Sequence, residues 1–537
     1  MKDGLRGYAK RREKMKEIEE ILNLIPKRKK GILRIFFSRI FIIFLLLVLQ
    51  LAIIIALFRM YALELPYLRV FLGAFSVVMI FYLFNCEMDS TAKLTWLIII
   101  MLSPLPGTLL LLFTQRDIGH NAIKKRVAYL IKETKHKLPH KREIMELPEL
   151  CLSGTDSLCR YVNRTGCFPI YNDTDVTYFR LGEDKFTALL TELEKAERFI
   201  FLEYFIIDEG YMWGRILSIL KRKAEQGVDV RVLYDGMCEM STLTHDYPER
   251  LGKLGIKCKA FSPIRPFLST YFNYRDHRKI LVIDGEVAFN GGINFADEYI
   301  NKRVRFGHWK DCAVMLKGSA VQSFTLMFLQ MWNISEKEPK WDEWLAPPMN
   351  KSAVGCGYVM PYADCPLDDE KVGETVYMDI LNRATSYVHI MTPYLILDGA
   401  LESAIKFAAM RGIDVKIILP GIPDKKAAYS LAKTHYRALV KAGVKIYEYA
   451  PGFVHSKVFV SDDEKAVVGT INLDYRSLYH HFECAAYMYR TSCIYDIEED
   501  FNQTLEKCRL VTNETIKKEK LAYKITGQLM KLIAPLF

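Results

Sequence analysis

The sequence has no C-x-x-C pair, and its 12 cysteines fall in no Cys/His cluster with zinc-site spacing. That excludes zinc ribbons and dithiol redox motifs and leaves no disulfide framework. The expectation is free, buried thiols on the cytoplasmic side. A cleavable secretory signal is also missing, because the first apolar stretch comes late and no small-residue cleavage site follows it. No basic stretch interleaved with aromatics reads as a groove for a nucleic-acid strand. The lack of charge balance points elsewhere: the 537 residues carry a formal net charge of +11. A basic surplus favours an anionic partner, and the apolar runs decide for a phospholipid surface.

Those runs crowd the start of the chain. A basic arm, 1–39, precedes the uncharged run Ile40–Phe58; a second run spans Leu65–Phe84 and a third Leu94–Phe113, broken by Ser103-Pro104-Leu105-Pro106-Gly107. The expectation is a transmembrane region, 40–115, of two to three segments. The segment 116–170 is again basic, so both flanks belong on the cytoplasmic side and the third run is the candidate for a re-entrant segment. This predicts a multi-pass protein of the bacterial cell membrane with a cytoplasmic catalytic part.

From about Tyr171 the pattern alternates strands and helices, as in an α/β fold. The chain then repeats itself. Gln226-Gly227-Val228-Asp229-Val230-Arg231-Val232-Leu233 is matched by Arg411-Gly412-Ile413-Asp414-Val415-Lys416-Ile417-Ile418, and Leu254-Gly255-Ile256-Lys257 by Ala442-Gly443-Val444-Lys445. The expected organisation is two α/β halves, 171–345 and 346–512, about a pseudo-two-fold axis, then a C-terminal amphipathic helix, 513–537. That helix suits either the membrane surface or the core.

Each half carries the same motif. His277-Arg278-Lys279 with Asp284 precedes Gly291-Gly292-Ile293-Asn294; His455-Ser456-Lys457 with Asp462 precedes Gly469-Thr470-Ile471-Asn472. Two copies in a matching repeat make coincidence remote. Alternation along a strand would put His and Lys on one face. The chemistry that needs these types is phosphodiester exchange: one imidazole as nucleophile, a second as proton donor, and Lys279, Lys457, Asn294 and Asn472 on the phosphoryl oxygens. Asp311 and Glu483, at parallel places after the motifs, are the candidates for orienting the histidines. Asp284 and Asp462 belong to the catalytic motif, although their place at the far end of the strand also suits a structural role. No metal or cofactor is expected. His308, His480 and His481 suit a packing role as well as a catalytic one, and Lys425 reads first as solvated charge.

At these residues the chain resembles the phospholipase D superfamily, whose signature is a duplicated H-x-K-x-x-x-x-D, and within it bacterial cardiolipin synthases. Arg275-Asp276-His277-Arg278-Lys279, Glu298-Tyr299, Thr392-Pro393-Tyr394, Pro423-Asp424 and Gly452-Phe453-Val454-His455-Ser456-Lys457 carry the likeness. It implies two fused phospholipase D-type halves behind transmembrane helices. It implies also that one phosphatidylglycerol passes its phosphatidyl group to a histidine, His277, releasing glycerol. A second phosphatidylglycerol then takes the group, His455 serving as acid and then base. Anionic membrane lipids are the implied partners, with no nucleic acid. Water or another alcohol as acceptor is the alternative. His481 departs from the family, which usually has Asn there, as does Cys312 after Asp311; both bear on acceptor preference.

Overall fold

The computed structural model describes residues 66–116, 118–263, 273–345 and 355–534, with three positions before Pro66. The basic arm and nearly all of the first apolar run lie outside them. The described residues fall into two compact units: a smaller one drawn from Pro26–Ile123, Ile264–Asn273 and Lys531–Phe537, and a larger one of Lys124–Pro263 with Tyr274–Met530.

In the smaller unit, α1 (Pro66–Asn85), α2 (Ser90–Leu102) and α3 (Pro104–Arg116) share a small core of Met79, Leu83, Trp96, Ile100 and Leu111. The third apolar run is therefore not one span. It breaks at Ser103, before the proline that cannot continue the hydrogen-bond ladder. Gly107 permits the return, since a Cβ there would lie 3.0 Å from the carbonyl oxygen of Ile99. Each piece has 13 residues, about 20 Å of helix against a hydrocarbon core of ~30 Å. Among the described residues no helix is long and apolar enough to cross a membrane, which corrects the expectation of a span at the second and third apolar runs.

The larger unit holds two large sheets and a two-stranded one. The first half contributes β1 (Thr174–Phe179), β2 (Phe199–Tyr204), β3 (Asp229–Asp235), β4 (Lys257–Phe261), β5 (Arg275–Asp276), β6 (Lys279–Ile283), β7 (Val287–Gly291), β8 (His308–Lys310) and β9 (Ala313–Gly318). The second contributes β10 (Tyr358–Asp364), β11 (Tyr387–Met391), β12 (Asp414–Pro420), β13 (Lys445–Tyr449), β14 (Gly452–Val454), β15 (Val458–Ser461), β16 (Lys465–Gly469), β17 (His481–Tyr489) and β18 (Cys508–Leu510). The orders are β1-β9-β7-β6-β2-β3-β4 and β10-β17-β16-β15-β11-β12-β13-β18. Except for the added β18 they are the same path, with parallel pairs at the same steps, β2·β3·β4 and β11·β12·β13. The central strands are buried throughout, as their runs of Val, Ile, Leu and Phe require.

Two short parallel pairings join the halves. β5 pairs with the start of β17, His481 opposite Arg275 and Phe482 opposite Asp276. β14 pairs with β8, Phe453 opposite Trp309 and Val454 opposite Lys310. These are equivalent contacts made in opposite directions, which is the pseudo-two-fold relation the repeat implied.

Candidate active site

Both motif histidines lie where the chain leaves a pairing with the other half and enters its own sheet. His277 follows β5 and donates its backbone N–H to the Phe482 carbonyl at 3.0 Å; His455 follows β14 and donates to the Lys310 carbonyl at 2.7 Å. The strands expected to carry His and Lys begin later, at Lys279 and Val458. The histidines sit in the extended links because the stretch before each strand is recruited by the opposite half.

That recruitment selects the carboxylates. The residue after Phe482 is Glu483, and its two oxygens lie 2.9 and 3.0 Å from His277 Nδ1. The residue after Lys310 is Asp311, whose Oδ2 is 2.7 Å from His455 Nδ1. Each histidine is thus oriented by a carboxylate from the other half, leaving Nε2 as its outward nitrogen. The second residue of each G-x-x-N completes the cross. Thr470 donates its hydroxyl to Glu483. At the equivalent place Gly292 has no side chain, and a Cβ there would lie 2.1 Å from Asp311 Oδ1. The lysines fold back on their own histidines: Lys279 Nζ donates to the His277 carbonyl at 2.6 Å, and Lys457 Nζ lies 3.0 Å from His455 Nδ1.

Burial dominates the electrostatics. It drives both histidines well below the ordinary imidazole range, although Glu483 opposes this at His277, while Lys457 adds to it at His455. It lowers Lys279 to about 7 and Lys457 to about 8. The carboxylates diverge. Asp311 is pushed up to about 7 by burial, against the pull of Lys457. Burial would raise Glu483 too, but His277 and His481 beside it together outweigh this and hold it below the usual carboxylate range. The His277–Glu483 pair is therefore a neutral imidazole on a firm anion, and the His455–Asp311 pair is the one poised to exchange a proton near neutrality.

Asp284 and Asp462 are not among these groups. Asp284 accepts from the backbone N–H groups of Glu197, Arg198 and Phe199 at 2.7–2.8 Å. Asp462 does the same for Thr385, Ser386 and Tyr387 at 2.8–2.9 Å. Both stand at left-handed φ, 54° and 58°, and pin the turn after the motif strand to the start of β2 or β11. Both carboxylates are engaged in these turns, and neither is bonded to a motif histidine among the described residues. The asparagines also differ. Asn294 spends its amide on the Tyr299 hydroxyl at 2.7 Å and its oxygen on the Ile206 N–H at 3.0 Å. Asn472 Oδ1 has no partner among the described residues.

Aromatic side chains wall the histidines: Phe205 at 4.9 Å from His277, and Tyr299, Trp309 and Phe453 at 5.4–5.8 Å from His455. Sequence reasoning passed over Thr470 and these walls; the repeat offset of Thr470 from Gly292 was the available signal. His308 is bound to the Tyr449 hydroxyl at 3.1 Å and His480 faces Tyr274. His481 is buried 5.3 Å from His277, its Nδ1 3.6 Å from Glu483. His277, His481 and Glu483 bring ligand atoms within 4.8 Å of one another, so the trio could hold a metal ion.

The family model described as cardiolipin synthase, PLD-like domain, matches residues 189–332 and 377–505. The chain is 57% identical to an uncharacterized protein of Streptococcus mutans serotype c, over 85% of this chain and 99% of that one. It is 34% identical to a cardiolipin synthase of Alkalihalophilus pseudofirmus, over 83% of this chain and 89% of that one. The fold resembles the crystal structure of a phosphatidylserine synthase from Haemophilus influenzae, with TM-score 0.53, 14% identity and coverage of 71% of this chain and 98% of that one. With its duplicated motifs and its match to the family across most of its length, the chain is an enzyme of the cardiolipin synthase family of the phospholipase D superfamily.

Proposed function

We propose that this enzyme makes cardiolipin and glycerol from two phosphatidylglycerol molecules through a phosphatidyl-histidine intermediate. The observation that carries the reading is the crosswise pairing of two histidines with two carboxylates. His277, neutral and oriented by anionic Glu483, attacks phosphorus through Nε2. The bond to the glycerol oxygen breaks, and that oxygen leaves with a proton from the His455–Asp311 pair. A second phosphatidylglycerol then offers a headgroup hydroxyl. His455 takes its proton, the oxygen attacks phosphorus, and the bond to His277 breaks. Lys279 and Lys457 hold the phosphoryl oxygens, with Asn472 the freer of the two amides.

Both substrates are membrane lipids, and the surface supports access to a bilayer. Val70, Phe71, Phe81, Phe84, Leu94, Leu102 and Leu109 of the helical unit are exposed and apolar, a patch that calls for an apolar partner. The 13-residue helices α2 and α3, each too short to span, suit a re-entrant seat there. In the C-terminal segment a helix, α5 (Leu521–Ile533), exposes Leu521, Ile525, Leu529 and Leu532 along one face, beside Lys520, Lys524 and Lys531. That arrangement suits the headgroup boundary.

The test uses detergent-solubilised enzyme and labelled phosphatidylglycerol, with lipids read by mass spectrometry. Cardiolipin and free glycerol are the expected products; phosphatidic acid alone would overturn the proposal in favour of water as acceptor. A donor whose leaving group is p-nitrophenolate needs no proton, so His455→Ala should release that group while His277→Ala should not. The reverse outcome would exchange the two roles.

A further inference from the structure

The two halves are nearly equivalent around the histidines, but not one shell further out. Counting from Gly236 after β3 and Gly421 after β12, Met240 of the first half corresponds to Lys425 of the second. The paired bridges Ile207–Phe295 and Leu395–Leu473 likewise make Ile206 the counterpart of Tyr394. The acidic neighbours are conserved in kind between the halves: Glu239 accepts from the Tyr234 hydroxyl at 3.1 Å, Asp424 from the Tyr394 hydroxyl at 2.7 Å. Only the second half adds a cation.

That cation lines a shallow open groove whose walls include Tyr394, Pro423, Asp424, Tyr429, Tyr436 and Phe453. Lys425 is exposed, is the groove's one lining cation, and has no carboxylate within ion-pair distance among the described residues; its Nζ lies 5.3 Å from the Tyr394 ring centre. The groove ends at Phe453, whose ring is 5.8 Å from that of His455. The lysine's charge is felt at His455, where it helps disfavour the protonated ring. The first half's corresponding loop ends in apolar Met240, and Glu239 there is engaged by His245 at 2.7 Å as well as by Tyr234.

We infer that the Lys425–Tyr394 groove is the acceptor subsite, and that it holds the phosphodiester of the second lipid while that lipid's headgroup hydroxyl is presented to His455. The inference rests on the proposed reaction. The donor's phosphorus must sit between Lys279 and Lys457, at the centre. The acceptor brings a second phosphate only a glycerol's length from its reacting oxygen, and that oxygen must approach the histidine that takes its proton. Lys425 is a cation on the His455 side at a position where the first half holds Met240, so it is where a second anion belongs, and the aromatic walls accept the lipid's apolar part. The ligand class is an anionic phosphodiester lipid with a free hydroxyl in its headgroup.

Free glycerol is an acceptor without a phosphate, so exchange of labelled glycerol into phosphatidylglycerol reads donor handling alone. Lys425→Met, which copies the first half, should lower cardiolipin formation about tenfold or more, the worth of one charge-assisted contact, with glycerol exchange falling far less. Lys425→Arg should restore most of the loss. Equal loss of both reactions in Lys425→Met, or loss of neither, would overturn the subsite. A wild-type enzyme that exchanged glycerol but formed no cardiolipin would instead overturn the underlying reaction.

Discussion

Glu483 Oε1 lies 2.9 Å from Nδ1 of His277, a residue 206 positions earlier in the chain and in the other half. The equivalent bond, Asp311 to His455, runs 144 positions the opposite way. Neither half therefore supplies the carboxylate that orients its own motif histidine. Glu483→Gln and Asp311→Asn should each keep the fold and lower kcat by about 10²–10⁴, because the neutral amide no longer favours the working tautomer or a positive ring. The two variants separate with a p-nitrophenolate donor: Asp311→Asn recovers release of the leaving group and Glu483→Gln does not. Equal recovery in both would remove the distinction drawn between the pairs.

The motif aspartates carry a different expectation. Asp462→Ala strands three backbone N–H groups at the start of β11 and should lower stability by about 1–3 kcal/mol. Burial alone would raise this carboxyl, but the N–H groups outweigh it and hold it below its ordinary value. A depressed carboxyl contributes stability above its unfolded value and loses it as pH falls through the folded one, so the gap between wild type and variant should close in acid. Thermal melts at neutral and acid pH check this; a gap that widened in acid would contradict the assignment.

The pH dependence of kcat/KM should be bell-shaped. His277 must be unprotonated to attack, and burial lowers it, so the acid limb falls below the ordinary imidazole range. On the alkaline side Lys279, at about 7, and Lys457, at about 8, lose their charge as pH rises, and Asp311, at about 7, gives up the proton its pair needs. Activity flat to about pH 9 would contradict proton control by these groups.

His481 offers a separate handle. It is buried, neither ring nitrogen has a hydrogen-bond partner among the described residues, and it shares Glu483 with His277. Zinc added to the assay should inhibit by bridging the three groups and pulling His277 from its task. In His481→Asn, basal turnover should survive and the zinc sensitivity should weaken. Equal inhibition of wild type and variant would place the metal elsewhere.

The C-terminal helix makes a binding prediction. Ile525→Glu with Leu529→Glu adds charge to the exposed stripe of α5 and should reduce sedimentation with anionic phosphatidylglycerol vesicles. Gly527, on the opposite face, has the Ser430 carbonyl 2.4 Å from where a Cβ would stand, so the helix keeps its seat on α4 (Lys426–Lys441). Unchanged sedimentation would exclude the stripe as a lipid contact.

The repeat, the two His-Lys-Asn sets and the α/β pattern were legible in the sequence because each is local: a period, a spacing, an order of elements. The same locality made Asp284 and Asp462 look like part of the chemistry, since they are part of the motif; only their backbone partners, 75–87 positions away, show that they pin strands. The apolar third run was visible, but its return at Ser103 depends on packing between Ile100, Leu111 and Met79. Composition and spacing by themselves determined that this protein has two equivalent halves and phosphodiester chemistry. Which carboxylate serves which histidine, and that Lys425 stands on one side only, was decided by tertiary structure: parallel pairing of β5 with β17 and of β14 with β8 joins segments that no periodicity along the chain relates.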